Sequence, residues 1–289
     1  MADRVLRATI AVGACLAISG CLYLLGLFVV SPEHGEEWTV GRRPNQFFTQ
    51  LDPDRQIFSD ATYASVLGVA HNSGGSVEAT LEALVAGADV IEADVAAVDG
   101  QLYVAHDQPL PFVGPRWFRG PRLDRIWAAT YGAGAVMLDL KESSPEYLDL
   151  LVDFLQVRQR TRQVIISSRS PAALMRLGRE LPDVTLLLSV PDDATLRALQ
   201  RNSILLETIN GISVRHTVLN EENAAWLEDR HLLTFAWTVN DMDRVNELMR
   251  LGVDGITSDN LAIVSLLGGS ADPQPVAPAT PAAGGIGND

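Results

Sequence analysis

VIEADVAAVDGQLYVAHD, residues 90–107, reads as two short apolar strands, VIEADV (90–95) and LYVAH (102–106). Each carries ionisable groups where a core strand carries Val or Leu. Side chains alternate across a strand, so residues two apart share a face. Glu92 and Asp94 therefore point one way, and Ile91, Ala93 and Val95 the other. The same pattern recurs in VMLDLK (136–141), where Asp139 and Lys141 share a face opposite Leu138 and Leu140. An apolar face suits packing against helices. The polar face must then line an interior near its mouth, because isolated carboxylates are costly to bury unless paired or bound to a metal.

Outward from this stretch, the rhythm repeats. Further strands are expected at 66–71, 163–168, 185–190, 211–216, 233–239 and 255–258, and helices at 76–87, 146–158, 170–181, 192–200, 220–230 and 241–252. Alternating strands and helices imply a parallel sheet covered by helices. Nine strand candidates approach the eight of a closed (β/α)₈ barrel of the TIM type, with one of the nine spurious or an extension. The barrel domain, 66–267, is about the minimum length for that fold. An open doubly wound sheet is the alternative, but NSGG (72–75) after the first strand lacks the Gly spacing of a phosphate loop.

The formal net charge of −14 argues against nucleic acid as a partner. An acidic protein that handles phosphate esters needs a local positive element such as a metal ion. Residues 8–30 contain no charge and as a helix would span about 34 Å, enough to cross a bilayer. Arg4 and Arg7 precede this run and Glu33, Glu36 and Glu37 follow it, which favours a cytoplasmic tail (1–7) and an exported domain. A single-pass anchor in the cell membrane is the leading expectation. A cleaved signal peptide and lipoprotein processing at Cys21 are the other readings. Residues 31–65 read as a connector, and 268–289, rich in Pro, Ala and Gly, as a disordered tail.

Glu92, Asp94 and Asp139 fit an oxygen-ligated hard cation, Mg²⁺ or Ca²⁺. His71 and His106, at strand ends, could flank the same mouth and divide general-base and general-acid roles. Lys141 could hold a phosphate oxygen, or merely pair with a neighbouring acid. What joins these residues is their place at the C-terminal ends of expected parallel strands, where barrel enzymes carry their sites.

The pieces AH (70–71), VEATLEAL (77–84), GADVIEADV (87–95), VAHD (104–107), MLDLK (137–141), WTVND (237–241) and GVDGITSD (252–259), in that order, resemble the glycerophosphodiester phosphodiesterase family. The resemblance implies a (β/α)₈ barrel that hydrolyses glycerol phosphodiesters, small-molecule or lipid, with a divalent cation. It implies His71 and His106 as the catalytic pair, Glu92, Asp94 and Asp139 as metal ligands, and Lys141 beside the phosphate. Trp237 would line the alcohol side of the pocket. The family's His-Arg-Gly is here His71-Asn72-Ser73, and its Glu-Asn-Thr is Glu78-Ala79-Thr80, which leaves Asn72 and Glu78 as substrate-side candidates. The Asp in the MLDLK strand also resembles sphingomyelinase D-like phospholipases. A non-catalytic anchored binding module on the same barrel is the reading from another class.

Overall fold

The computed structural model describes residues 60–106 and 120–268. The expected anchor (8–30), most of the connector, and the tail from residue 269 onward lie outside the described residues. Among the described residues, no helix is long and apolar enough to cross a membrane.

A short helix α1 (Asp60–Tyr63) leads into β1 (Leu67–Ala70), α2 (Val77–Val85), β2 (Val90–Val98), β3 (Gln101–Val104) and α3 (Leu123–Ala129). Then come β4 (Ala135–Leu140), α4 (Pro145–Leu155), β5 (Gln163–Ser168), α5 (Pro171–Glu180), β6 (Thr185–Val190), α6 (Asp193–Gln200) and α7 (Ser203–Leu206). The chain continues with β7 (Gly211–Arg215), α8 (Glu221–Glu228), β8 (Leu233–Trp237), α9 (Met242–Arg250), β9 (Gly255–Ser258) and α10 (Leu261–Leu267). The helix starts are written in the sequence. Ser76, Ser144, Ser170, Asp192, Asn220, Asp241 and Asn260 each accept a hydrogen bond from a backbone N–H of the helix they open. These side chains satisfy donors that the first turn leaves without partners.

The strands run in the order β1-β9-β8-β7-β6-β5-β4-β2-β3, and β1 also pairs with β2. That last pairing closes eight parallel strands into a ring and excludes the open sheet. The ninth strand is the extension: β3 lies antiparallel to the outer half of β2, with Val95 opposite Val104. His106 therefore does not end a parallel strand, as the sequence pattern suggested. It reaches the rim on a returning hairpin, where the Ala105 N–H donates to the Asp94 carbonyl at 2.9 Å.

Two apolar layers follow from the alternation. Val69, Val90, Ala135, Met137, Ile165, Leu187 and Phe235 fill the barrel interior. Val136, Leu138, Val164, Ile166, Leu186, Leu188, Ile212, Val214 and Ile256 face the helices. The core reaches back into the connector, since Tyr63 is fully buried and its hydroxyl donates to Asn246 Oδ1. Toward the C-terminal ends the interior turns polar, with Glu92, Asp94, Ser167, Ser189, Ser213 and Thr257 buried there. Two glycines permit close approach. A Cβ on Gly74 would lie 2.5 Å from Ala93 Cβ, and one on Gly255 would lie 2.5 Å from the Phe235 ring.

Gly255→Ala is expected to destabilise the barrel by about 1–3 kcal/mol, because the added methyl must displace a ring already packed in the interior. A lowered urea midpoint with an unchanged slope checks this. An unchanged midpoint would mean that Phe235 has room to move.

Candidate active site

The C-terminal mouth of the ring gathers the ionisable side chains. Asp94 and Asp139 are register partners on β2 and β4. At roughly 5 Å and an effective dielectric constant of about 20, two such charges repel by about 3 kcal/mol. Lys141, one step beyond β4, answers this. Its Nζ lies 2.8 Å from Asp94 Oδ1 and 2.5 Å from Asp139 Oδ2. Burial alone would lower the pKa of Lys141, but Asp139 and Asp94 more than reverse that and hold the ammonium charged. Burial raises the pKa of Asp94, and Lys141 opposes it.

Glu92 sits one inward position below Asp94. Burial, aided by Asp94 and Asp139, pushes its carboxyl up to about 7, while His71 pulls the other way. Its Oε2 accepts the Asn72 backbone N–H at 3.2 Å and lies 3.8 Å from His71 Nε2. Asn72 aims that N–H from a left-handed backbone conformation, φ 53°, which Asn tolerates better than most residues. Asn72 is buried, and its backbone serves Glu92. Glu78 stands exposed in the first turn of α2.

His71 is held from both sides. Its Nδ1 lies 2.7 Å from Asp259 Oδ1. Asp259 Oδ2 accepts Asn240 Nδ2 at 2.9 Å, and Asn240 Oδ1 accepts both the Asp259 N–H and the Ser258 hydroxyl at 2.9 Å. Burial by itself would lower the His71 pKa; Glu92 and Asp259 raise it, to about 9. The sequence alone assigns no role to Asp259 and Asn240, although both fall in the motifs WTVND (237–241) and GVDGITSD (252–259). The available signal was position: Asp259 follows β9 directly, and Asn240 lies three residues beyond β8. His106 is exposed at the rim, close enough for its charge to lower the Asp94 pKa. Trp237 ends β8, partly exposed, with the Arg215 guanidinium 5.5 Å from its ring centroid.

Glu92, Asp94 and Asp139 are an all-oxygen donor set, the kind that suits Mg²⁺ or Ca²⁺. Asp94 Oδ2 is buried with no hydrogen-bond partner, and an incoming cation would satisfy it. Among the described residues no three acidic, His or Cys side chains already converge as a coordination shell, and the Lys141 ammonium stands between Asp94 and Asp139. The donors thus fit a hard cation by their chemistry and by that orphaned oxygen.

A cavity of about 600 Å³ opens at the opposite, N-terminal mouth, lined in part by Leu67, Asp89, Gln163, Phe235 and Asp254. The acids there are structural. Asp89 Oδ2 accepts the Gly68 N–H at 2.8 Å, and Asp254 Oδ2 accepts the Thr234 N–H at 2.7 Å. The chemistry-bearing groups lie at the other end, so that cavity is not the candidate site.

Residues 134–263 match the glycerophosphoryl diester phosphodiesterase family. Glycerophosphodiester phosphodiesterase GDPD4 of Arabidopsis thaliana is 31% identical over 129 residues, covering 43% of this chain and 39% of that protein. The chain thus spans well under half the length of that curated relative. Among solved structures, a phosphodiesterase of Oleispira antarctica, in complex with the product sn-glycerol-3-phosphate, superposes with a TM-score of 0.59 at 19% identity. The superposition covers 73% of this chain and 99% of that one. A glycerophosphodiester phosphodiesterase of Parabacteroides distasonis gives 0.57 at 18% identity, over 71% and 97%. At these identities the likeness establishes the fold.

The His71 pKa lies above its ordinary value of 6.5, so the charged imidazole stabilises the fold fully below about pH 6.5. That stability is lost as pH rises through 9. Glu92, raised from 4.5 to about 7, tilts stability in the same direction but only up to about pH 7. With chelator present, the urea midpoint is expected to fall between pH 7 and 9, and the fall should shrink in Asp259→Asn, which removes one carboxylate that raises His71 and leaves Glu92 its histidine. An equal fall in both proteins would contradict the assignment.

Proposed function

We propose that this chain belongs to the glycerophosphodiester phosphodiesterase family, which its residues 134–263 match, and is a cation-dependent hydrolase of glycerophosphodiesters. Water and the diester would give an alcohol and sn-glycerol 3-phosphate, the product held by the Oleispira relative. The observation that carries this reading is the cluster at one mouth of the barrel. Three inward carboxylates from two adjacent strands face a lysine, with one histidine against Glu92 and another exposed at the rim.

A divalent cation, Mg²⁺ or Ca²⁺, held by Glu92, Asp94 and Asp139, would offset phosphoryl charge. The chain's own groups would do the rest. Asp259 fixes the Nδ1 side of the His71 ring, which leaves Nε2 on the side of Glu92. A histidine so held can move a proton at one defined nitrogen. One of His71 and His106 takes the proton of the attacking water. The other delivers a proton to the departing alkoxide, so that charge does not accumulate on either oxygen. Lys141 adds a second positive charge beside the phosphate. Residues 8–30, outside the described residues, would anchor the domain to the cell membrane, with the barrel on its outer side.

The test is turnover of glycerophosphodiesters by the purified protein, with and without chelator. Activity should vanish with chelator and return with Mg²⁺ or Ca²⁺. His71→Ala and His106→Ala should each lose about 10²-fold or more in kcat, the usual worth of a proton-transfer group. Full activity under chelator would remove the cation from the mechanism. Full activity in both variants would remove the histidine pair.

A further inference from the structure

The side of the mouth away from the carboxylates carries a different chemistry. Arg215 ends β7 and is the register partner of Trp237 at the end of β8. Val214 and Ala236, one step earlier, face the helix layer, while Phe235 lies in the barrel interior. Strict alternation therefore sends Arg215 and Trp237 inward, at the open end. Arg215 is exposed there and has no carboxylate partner among the described residues. Its guanidinium lies over the Trp237 ring, 5.5 Å from the centroid. In the closed ring, β7 stands four strands from β2, and β8 four strands from β4. The Arg215–Trp237 pair thus faces Glu92, Asp94 and Asp139 across the full width of the mouth.

We infer that Arg215, seated on Trp237, is a specificity-determining residue that favours diesters whose alcohol arm is hydroxylated or anionic over those carrying a quaternary ammonium. The inference rests on the phosphodiesterase reading above. A diester whose phosphorus lies by the carboxylates extends one arm toward β7 and β8. An aromatic face at that point would ordinarily hold a quaternary ammonium by cation–π attraction. Here a guanidinium already covers the face it lies against, and a cationic head group meets a like charge. Hydroxyl, phosphate or carboxylate oxygens meet fixed N–H donors instead. Specificity arises from the repulsive element as much as from the attractive one.

The experiment compares kcat/KM for glycerophosphoglycerol and glycerophosphocholine in the unmodified protein, Arg215→Gln and Arg215→Glu. The unmodified protein should prefer glycerophosphoglycerol by at least about ten-fold, the scale of one like-charge contact. Arg215→Gln should bring the ratio to within about three-fold, and Arg215→Glu should reverse it. An unmodified protein that hydrolyses both equally, or a preference that survives Arg215→Gln, overturns this inference and leaves the phosphodiesterase reading intact. Hydrolysis of neither substrate, with cation supplied, overturns both.

Discussion

The Lys141 ammonium between Asp94 and Asp139 is the interaction on which the mouth of this barrel depends. Parallel pairing of β2 with β4 sets the two carboxylates side by side, and closure of the ring turns both inward. Two like charges in a partly buried interior cannot both stay ionised without a counter-charge. Lys141 provides it from the same strand end, with the spacing of two residues that puts it on the face of Asp139. One oxygen of Asp94 remains without a partner even so. The site therefore retains excess acceptor capacity, a property that pure structural ion pairing does not require.

A second set of contacts does for His71 what Lys141 does for the aspartates. Asn240 and Asp259 come from the ends of two neighbouring strands and fix one another before Asp259 meets the imidazole. The order is the physically sensible one. A backbone N–H and a hydroxyl settle the Asn240 amide, the amide settles the carboxylate, and the carboxylate settles which ring nitrogen carries the proton. Glu92 then faces the Nε2 side of the ring. The two assemblies meet at Glu92, whose burial makes its charge sensitive to both.

Much of the fold was legible because its determinants are local. Helix starts follow from Ser, Asp and Asn at caps, and strand faces from a period of two. The eightfold count required one of nine strands to be surplus, and β3 is that strand. Four helices are not legible in the sequence: 60–63 and 203–206 are single turns, and the other two hide for their own reasons. LAIVSLL at 261–267 is an apolar, partly β-branched run with no polar face. LDRIWAA at 123–129 is too short to show a period. In the site, Glu92, Asp94, Asp139 and Lys141 were legible as a group from alternation alone. Asp259, Asn240 and Arg215 were not, because each follows or ends a strand as a single polar residue, where a turn or a solvated end is the ordinary explanation.

The sequence by itself determined which side chains share a face, since alternation along a strand needs no partner to define it. It also determined that the carboxylates demanded compensation, since the cost of burying charge is a property of the group. Only the tertiary structure decided who compensates whom. The β1–β2 pairing closed the ring, the β2–β3 hairpin returned His106 to the rim, and the register of β7 on β8 laid Arg215 over Trp237. These contacts join residues far apart in the chain, and their geometry comes from strand order and register, which no local pattern encodes.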